Sequence, residues 1–124
     1  RYAEDNIVCI SYTYVSQAIM PFIDIKRLEG SFNAYVEELG IHRSYGNTEF
    51  CAALPTSEQA KIIGSSHVPL LKQTILWNVN NTPFELTYHY FVGEQYTITQ
   101  DLQLIYHDDG TTTKQVVDSD ETTS

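Results

Sequence analysis

Apolar and polar positions alternate along this chain with two periods, and each period predicts its own elements. Residues 7–15, IVCISYTYV, are β-branched and aromatic with no breaker and predict a strand. The preceding EDN supplies a turn, and Arg1 to Ala3 read as the end of an earlier partner strand. The next apolar run, QAIMPFIDIKRL, is interrupted by Pro21 and predicts an irregular connection packed on the core. Phe32, Tyr35, Val36 and Leu39 then recur at helical spacing, with Ser31 in the N-cap position and Gly40 just past the end. Residues 47–54, NTEFCAAL, predict a strand. PTSEQAKIIG predicts a second short helix, capped by Thr56 or Ser57, with Gln59 placed as in a capping box and Gly64 as its stop.

The C-terminal half is strand-rich. PLLKQTILWNV (69–79) and FELTYHYF (84–91) are two strands joined through NNTP. Alternation puts Phe84, Leu86, Tyr88 and Tyr90 on one face of the second, and Glu85, Thr87 and His89 on the other. Tyr96, Ile98, Leu102, Leu104 and Tyr106 mark a last long strand, and Asp109-Gly110 suits a hairpin turn into TTTKQVV. The Thr-, Asp- and Ser-rich end reads as disordered. These elements predict an α+β domain, an antiparallel sheet with short helices on one face, over residues 1–106. Residues 107–124 would form a final hairpin strand and a flexible acidic tail. A faint repeat, SYTYV at 11–15 against TYHYF at 87–91, fits either duplication of a hairpin-plus-helix unit or convergence of two tyrosine-rich strands.

Composition narrows the function. The chain has 124 residues, enough for one domain with a real core. Its net charge is −9, with the acids concentrated toward the C-terminal end. Such a surface repels phosphate backbones and lacks the basic stripe of a nucleic-acid binder. No apolar run is long enough to span a bilayer, so no membrane is expected as a partner. Cys9 and Cys51 are too few and too far apart for a zinc site, and both read as small buried hydrophobes in a reducing compartment. No metal or cofactor is expected. The start at Arg1 is abrupt, as if the chain began inside a larger protein.

Chemistry-bearing motifs are sparse. There is no G-x-S-x-G elbow, phosphate-cradling glycine loop or H-E-x-x-H pair. Glu85 and His89 share a strand face and make a conceivable general-base pair, although a plain polar sheet face is the commoner outcome. Ser31, behind Gly30 at a helix start, is either a cap or part of an anion site.

The ordered set Gly30-Ser31-Phe32, Asn81-Thr82-Pro83-Phe84-Glu85-Leu86-Thr87, Tyr90 and Gly93-Glu94-Gln95-Tyr96 resembles the UTRA domain. That domain is the effector-binding half of GntR-type bacterial transcription regulators of the HutC subfamily. The resemblance covers most of residues 1–98. It implies a chorismate-lyase-like fold, a small anionic effector such as a sugar phosphate, a cytoplasmic homodimer, and DNA binding only through a winged helix-turn-helix outside this chain. It implies no catalysis, and the alternative it leaves is a chorismate-lyase-like enzyme acting on a small carboxylate. Carried over residue by residue, the effector contacts are Arg1, Ser31, Glu85 and Tyr96, with Tyr90 as a further candidate. Val92, Gln95 and Thr97 stand where many members differ, and the basic residue usual before the Gly-acid pair is missing.

Overall fold

A computed structural model describes residues 2–3, 6–23 and 31–123. Arg1, Gly30 and the second half of the Pro21 connection lie outside the described residues. Strands β1 (Tyr2–Ala3) and β2 (Asn6–Ile7) pair as a small antiparallel ladder. Then follow β3 (Cys9–Val15), α1 (Phe32–Glu38), β4 (Tyr45–Ala53), α2 (Ser57–Ile63), β5 (Leu70–Val79) and β6 (Thr82–Val92). A single 3-10 turn, Gly93–Gln95, leads into β7 (Tyr96–Tyr106) and β8 (Thr112–Thr123). The main sheet is antiparallel with strand order β3-β6-β5-β4, and β7 and β8 form a separate hairpin. The architecture is α+β, as the periodicities predict.

Local chemistry accounts for the short elements. The Ser31 hydroxyl accepts from the Ala34 amide at 3.2 Å and caps α1. At the other end Ile41 N donates to Val36 O and Gly40 N to Glu37 O, with Gly40 at φ 75°, a Schellman ending. Helix α2 carries the full capping box: Gln59 N donates to the Thr56 hydroxyl and Thr56 N to the Gln59 side chain. Asn80 and Asn81 both take positive φ, 49° and 67°, so β5 and β6 are joined by a two-residue turn whose twist matches the strands.

Register sorts the sheet residues onto two faces. Tyr12 and Tyr14 on β3 share a face with Tyr88, Tyr90 and Lys72, and their rings meet edge-on: Tyr12 with Tyr90 and Tyr14 with Tyr88. The two tyrosine-rich strands of the repeat are therefore direct neighbours, with Tyr12 opposite Tyr88. The other face carries Ser11, Thr13, Glu85, Thr87, His89 and Gln73, and is called here the polar face. The helices do not share a face. Helix α2 lies on the tyrosine side, where Gln59, 2% exposed, reaches the Tyr12 hydroxyl at 3.4 Å. Helix α1 sits at the end of the sheet, over the polar side of β6.

A break in alternation places α1. Asn78 pairs with Pro83 and Trp77 with Glu85, so Phe84 is an extra residue in β6. A bulge turns its residue out of strict alternation. Phe84 accordingly joins Met20, Tyr35 and Val36 in the core beneath α1, with Val15, Ile19 and Val79 around it. A second, smaller core gathers Val8, Cys9 and Phe91 against Leu71 and Tyr96. Besides the placement of the helices, two expectations fail. Cys51 is exposed on edge strand β4, not buried. Strand β8 runs on past the expected TTTKQVV hairpin strand through the residues expected to be a flexible tail, paired with β7 as far as Thr123 opposite Tyr96. The β-branched Thr112, Thr113, Val116 and Val117 suit a strand, and β7 offers a full ladder of backbone partners that carries the pairing on to Thr123. At the hairpin tip Asp109 accepts from the hydroxyl and then the amide of Thr111, which holds its carboxyl below the usual range.

Phe84 is 2% exposed, and Phe84→Ala is expected to cost ~3–5 kcal/mol in urea denaturation. Leu102→Ala, on the exposed hairpin at 53%, should stay within ~0.5 kcal/mol.

Candidate functional site

The polar face is built around one buried carboxylate. Glu85 is 7% exposed. Arg43, from the short loop between α1 and β4, donates to its Oε1 through Nη2 at 2.6 Å and through Nε at 3.1 Å. The Thr87 hydroxyl donates to Oε2 at 3.1 Å. Arg43 Nη2 also donates to Asn33 Oδ1 at 3.0 Å, in the first turn of α1. An ionised group is tolerated in such a place only when it is paired and hydrogen-bonded, and here both carboxylate oxygens are answered. The result is a polar chain running from β6 through the guanidinium to the helix.

Further along the face, Thr13 meets Thr87 at 3.3 Å, and the Ser11 hydroxyl lies 2.7 Å from His89 Nδ1. His89 is thus engaged with Ser11, and Glu85 with Arg43. The general-base pair considered from the sequence does not form, because a step of four residues along a strand separates side chains that cross-strand neighbours satisfy first. Among the described residues no group of three or more His, Cys, Asp or Glu could hold a metal ion.

The predicted contacts come together only in part. Ser31 is exposed, and its hydroxyl is used as a cap. Its helix nonetheless starts beside Glu85, because Asn33 reaches Arg43. Tyr96 lies on the Glu85 side of the sheet but at the far end of the row, its ring stacked on Phe91 at 3.5 Å between centroids and 9° between planes. Tyr90 does not join them. It points to the tyrosine face, under Lys72 at 5.6 Å, because strict alternation separates it from Glu85. Arg1 is outside the described residues.

Sequence reasoning missed Arg43 and Trp77. Arg43 had a signal: a lone arginine after a helix-stopping glycine, in an acidic domain whose strand Glu85 needs a cation. For Trp77 the signal was Gly46 inside a strand, since an interior glycine often marks a close approach. A Cβ at 46 would stand 2.5 Å from Trp77 Cε3 and Cζ3, so the indole lies directly on the glycine backbone.

Several hollows open on the surface of the described residues. One of about 610 Å³ lies between the end of α2, β2 and the Gly93 turn, and one of about 460 Å³ between the tyrosines and the start of α2. A third, about 240 Å³, is smaller but continues the polar row. Its floor is Thr48, Phe50, Gln73 and Trp77, and its roof is Gln100, Ser119 and Glu121 of the β7–β8 hairpin. Gln73 sits opposite His89, and Trp77 opposite Glu85, one strand over. This hollow borders the paired charges and is the candidate site.

Arg43 and Glu85 are 13% and 9% exposed at their side chains. Removing one partner strands the other, so Arg43→Met should lower stability by ~3–5 kcal/mol, read from urea midpoints. The double change Arg43→Met with Glu85→Met should recover most of that loss, since two apolar chains of similar volume replace the pair.

Comparison with known proteins converges on one family. The model of the UTRA domain matches residues 1–97. Among solved structures, a GntR-family transcriptional regulator from Enterococcus faecalis superposes with TM-score 0.66 at 18% identity, over 75% of this chain and 69% of that one. The effector domain of PhnF from Mycobacterium smegmatis gives 0.62 at 18%, over 73% and 58%. The C-terminal domain of the histidine utilization repressor from Pseudomonas syringae gives 0.62 at 17%, over 74% and 66%. The chain spans between 42% and 69% of the length of the solved relatives it matches. No curated protein is significantly similar to it in sequence. The chorismate-lyase-like α+β fold implied by the resemblance is the fold these structures share. The chain belongs to the UTRA domain family, the effector-binding regulatory domains of GntR-type, HutC-subfamily regulators.

Proposed function

We propose that this chain senses a small metabolite on its polar face, between α1 and the β7–β8 hairpin, and passes the event to a DNA-binding domain elsewhere in the full-length regulator. The observation that carries the reading is the Glu85–Arg43–Asn33 chain. It ties a buried charge to the first turn of α1, at the edge of a hollow. A ligand competing for either charged partner alters how firmly α1 is docked. Ligand binding and helix position are then one equilibrium, and the effector shifts its populations.

Within this proposal the contacts are Glu85, Ser31 and Tyr96, joined by Arg43, with Arg1 and Tyr90 carried from the family pattern. A sugar phosphate or similar anion would attach at Arg43 and the amides beginning α1, and would have to displace Glu85 to do so. DNA contact through a winged helix-turn-helix, a homodimer and a cytoplasmic location belong to the same proposal. Self-association draws support from the exposed apolar side chains of the hairpin, Leu102, Leu104, Tyr106 and Val116. Among the described residues no helix is long and apolar enough to cross a membrane. Membership of a regulatory family favours sensing over turnover.

The decisive experiment uses the full-length regulator and its operator DNA. A metabolite that raises the melting temperature of this domain should change operator affinity by about 5- to 150-fold, the usual range of allosteric coupling. Compounds that bind the domain yet leave DNA affinity untouched, or that are consumed at catalytic rates, would count against the reading. Ser31→Ala should cost ~1 kcal/mol as a lost cap. If the hydroxyl also contacts ligand, the thermal response disappears in that variant while the fold remains.

A further inference from the structure

The hollow beneath the hairpin differs chemically from an anion site. We propose that it receives a small organic cation, an amine carried on a flat apolar body. This rests on the sensing reading above for the site and departs from it in assigning a ligand of opposite charge to the sugar phosphate.

Three observations carry it. The first is the platform. Trp77 lies on the backbone of Gly46, where any side chain would displace it, so one indole face is spent on the sheet and the ring is held in place. Phe50, 37% exposed, lines the same floor at its other end, opposite Gln73. Two aromatic side chains in one small hollow suit a flat apolar body, and a tryptophan face attracts cations more strongly than any other side-chain ring.

The second is charge. Of the residues lining the hollow, Glu121 is the one acidic side chain, and none is Lys or Arg. Asp101, Asp118 and Asp120 stand on the opposite face of the same hairpin, whose two strands carry Lys114 as their only base, and add to its general negative charge without lining the hollow. The nearest described cation along the polar row, Arg43, is already bound to Glu85. A cleft lined by one sign of charge concentrates ions of the opposite sign. Here that favours cations and disfavours phosphate.

The third is the hydrogen-bonding set. Gln73 is 7% exposed, and its amide nitrogen donates to the Thr48 hydroxyl at 3.3 Å. Its carboxamide oxygen is an acceptor suited to a ligand N–H. Gln100 and Ser119 offer further acceptors from the roof. Acceptors around a carboxylate match the donors of an ammonium group. A volume of about 240 Å³ lies below the ~300–1,000 Å³ usual for drug-sized ligands, which limits the guest to about one ring.

Trp77 is the only tryptophan in the chain, so its emission reports on this hollow directly. The test titrates the whole chain with benzylamine, benzoate and glucose 6-phosphate, following tryptophan emission and thermal melting. Benzylamine should perturb the emission saturably and raise the melting temperature, and the two anions should do neither. Glu121→Gln, on an exposed hairpin position, should leave the free domain's melting unchanged and weaken benzylamine binding by about tenfold, as expected for one lost charge-assisted contact. A saturable response to glucose 6-phosphate that survives Glu121→Gln would overturn the cation assignment and leave the sensing reading intact. Silence toward all three probes would also overturn it, while the operator-release experiment judges the sensing reading separately. An amine response unchanged by Glu121→Gln and by Gln73→Leu would place the guest elsewhere and end the proposal.

Discussion

A carboxylate cannot stay ionised inside a sheet face unless a cation comes to it, and most of this domain's geometry follows from meeting that demand at Glu85. The cation is Arg43, which is 42 residues away in sequence. It arrives because α1 ends in a Schellman turn that redirects the chain toward β4. Asn33 then ties the guanidinium back to the same helix. A buried pair of this kind adds little net stability compared with apolar replacements, but breaking it is costly. The arrangement therefore serves position more than stability: it locks α1, β4 and β6 into one relation that a competing ligand can loosen.

The bulge at Phe84 is the apolar counterpart of that pair. By inserting one residue, β6 places a large ring in the α1 core directly before the carboxylate that binds Arg43. Helix α1 is thus held by an apolar anchor and a polar one on consecutive residues. The apolar anchor depends on burial, while the polar one is a nearly buried charge pair. A seven-residue helix has little stability of its own, so its position depends on these contacts.

The β7–β8 hairpin gives the polar face its roof. Its upper half contributes Gln100, Ser119 and Glu121 over Thr48, Gln73 and Trp77. Most of the hairpin lies beyond the residues matched to the family model, which end at 97. The residues that roof the hollow thus lie outside the matched segment, while its floor lies within it. The acidity of the roof and the aromatic floor act in the same direction, toward a positively charged guest.

Sequence alone was enough wherever the physics is local. Both helix starts, both glycine stops and the Asn80-Asn81 turn were legible because each is settled by hydrogen bonds or dihedrals within about four residues. The face assignment along most of β6 was legible for a similar reason, since alternation is a property of one strand. The family followed from motifs in order. What only the tertiary structure decided depends on which distant strands become neighbours. It set the pairing of Glu85 with Arg43, the rotation of Phe84, the seat of Trp77 on Gly46, and the conversion of a polar tail into β8. It also divided the candidate contacts, bringing the Ser31 helix to Glu85 while leaving Tyr90 behind the sheet. Capping is encoded next to the residue it serves; a partner for a buried charge is chosen by topology, which no window of sequence contains.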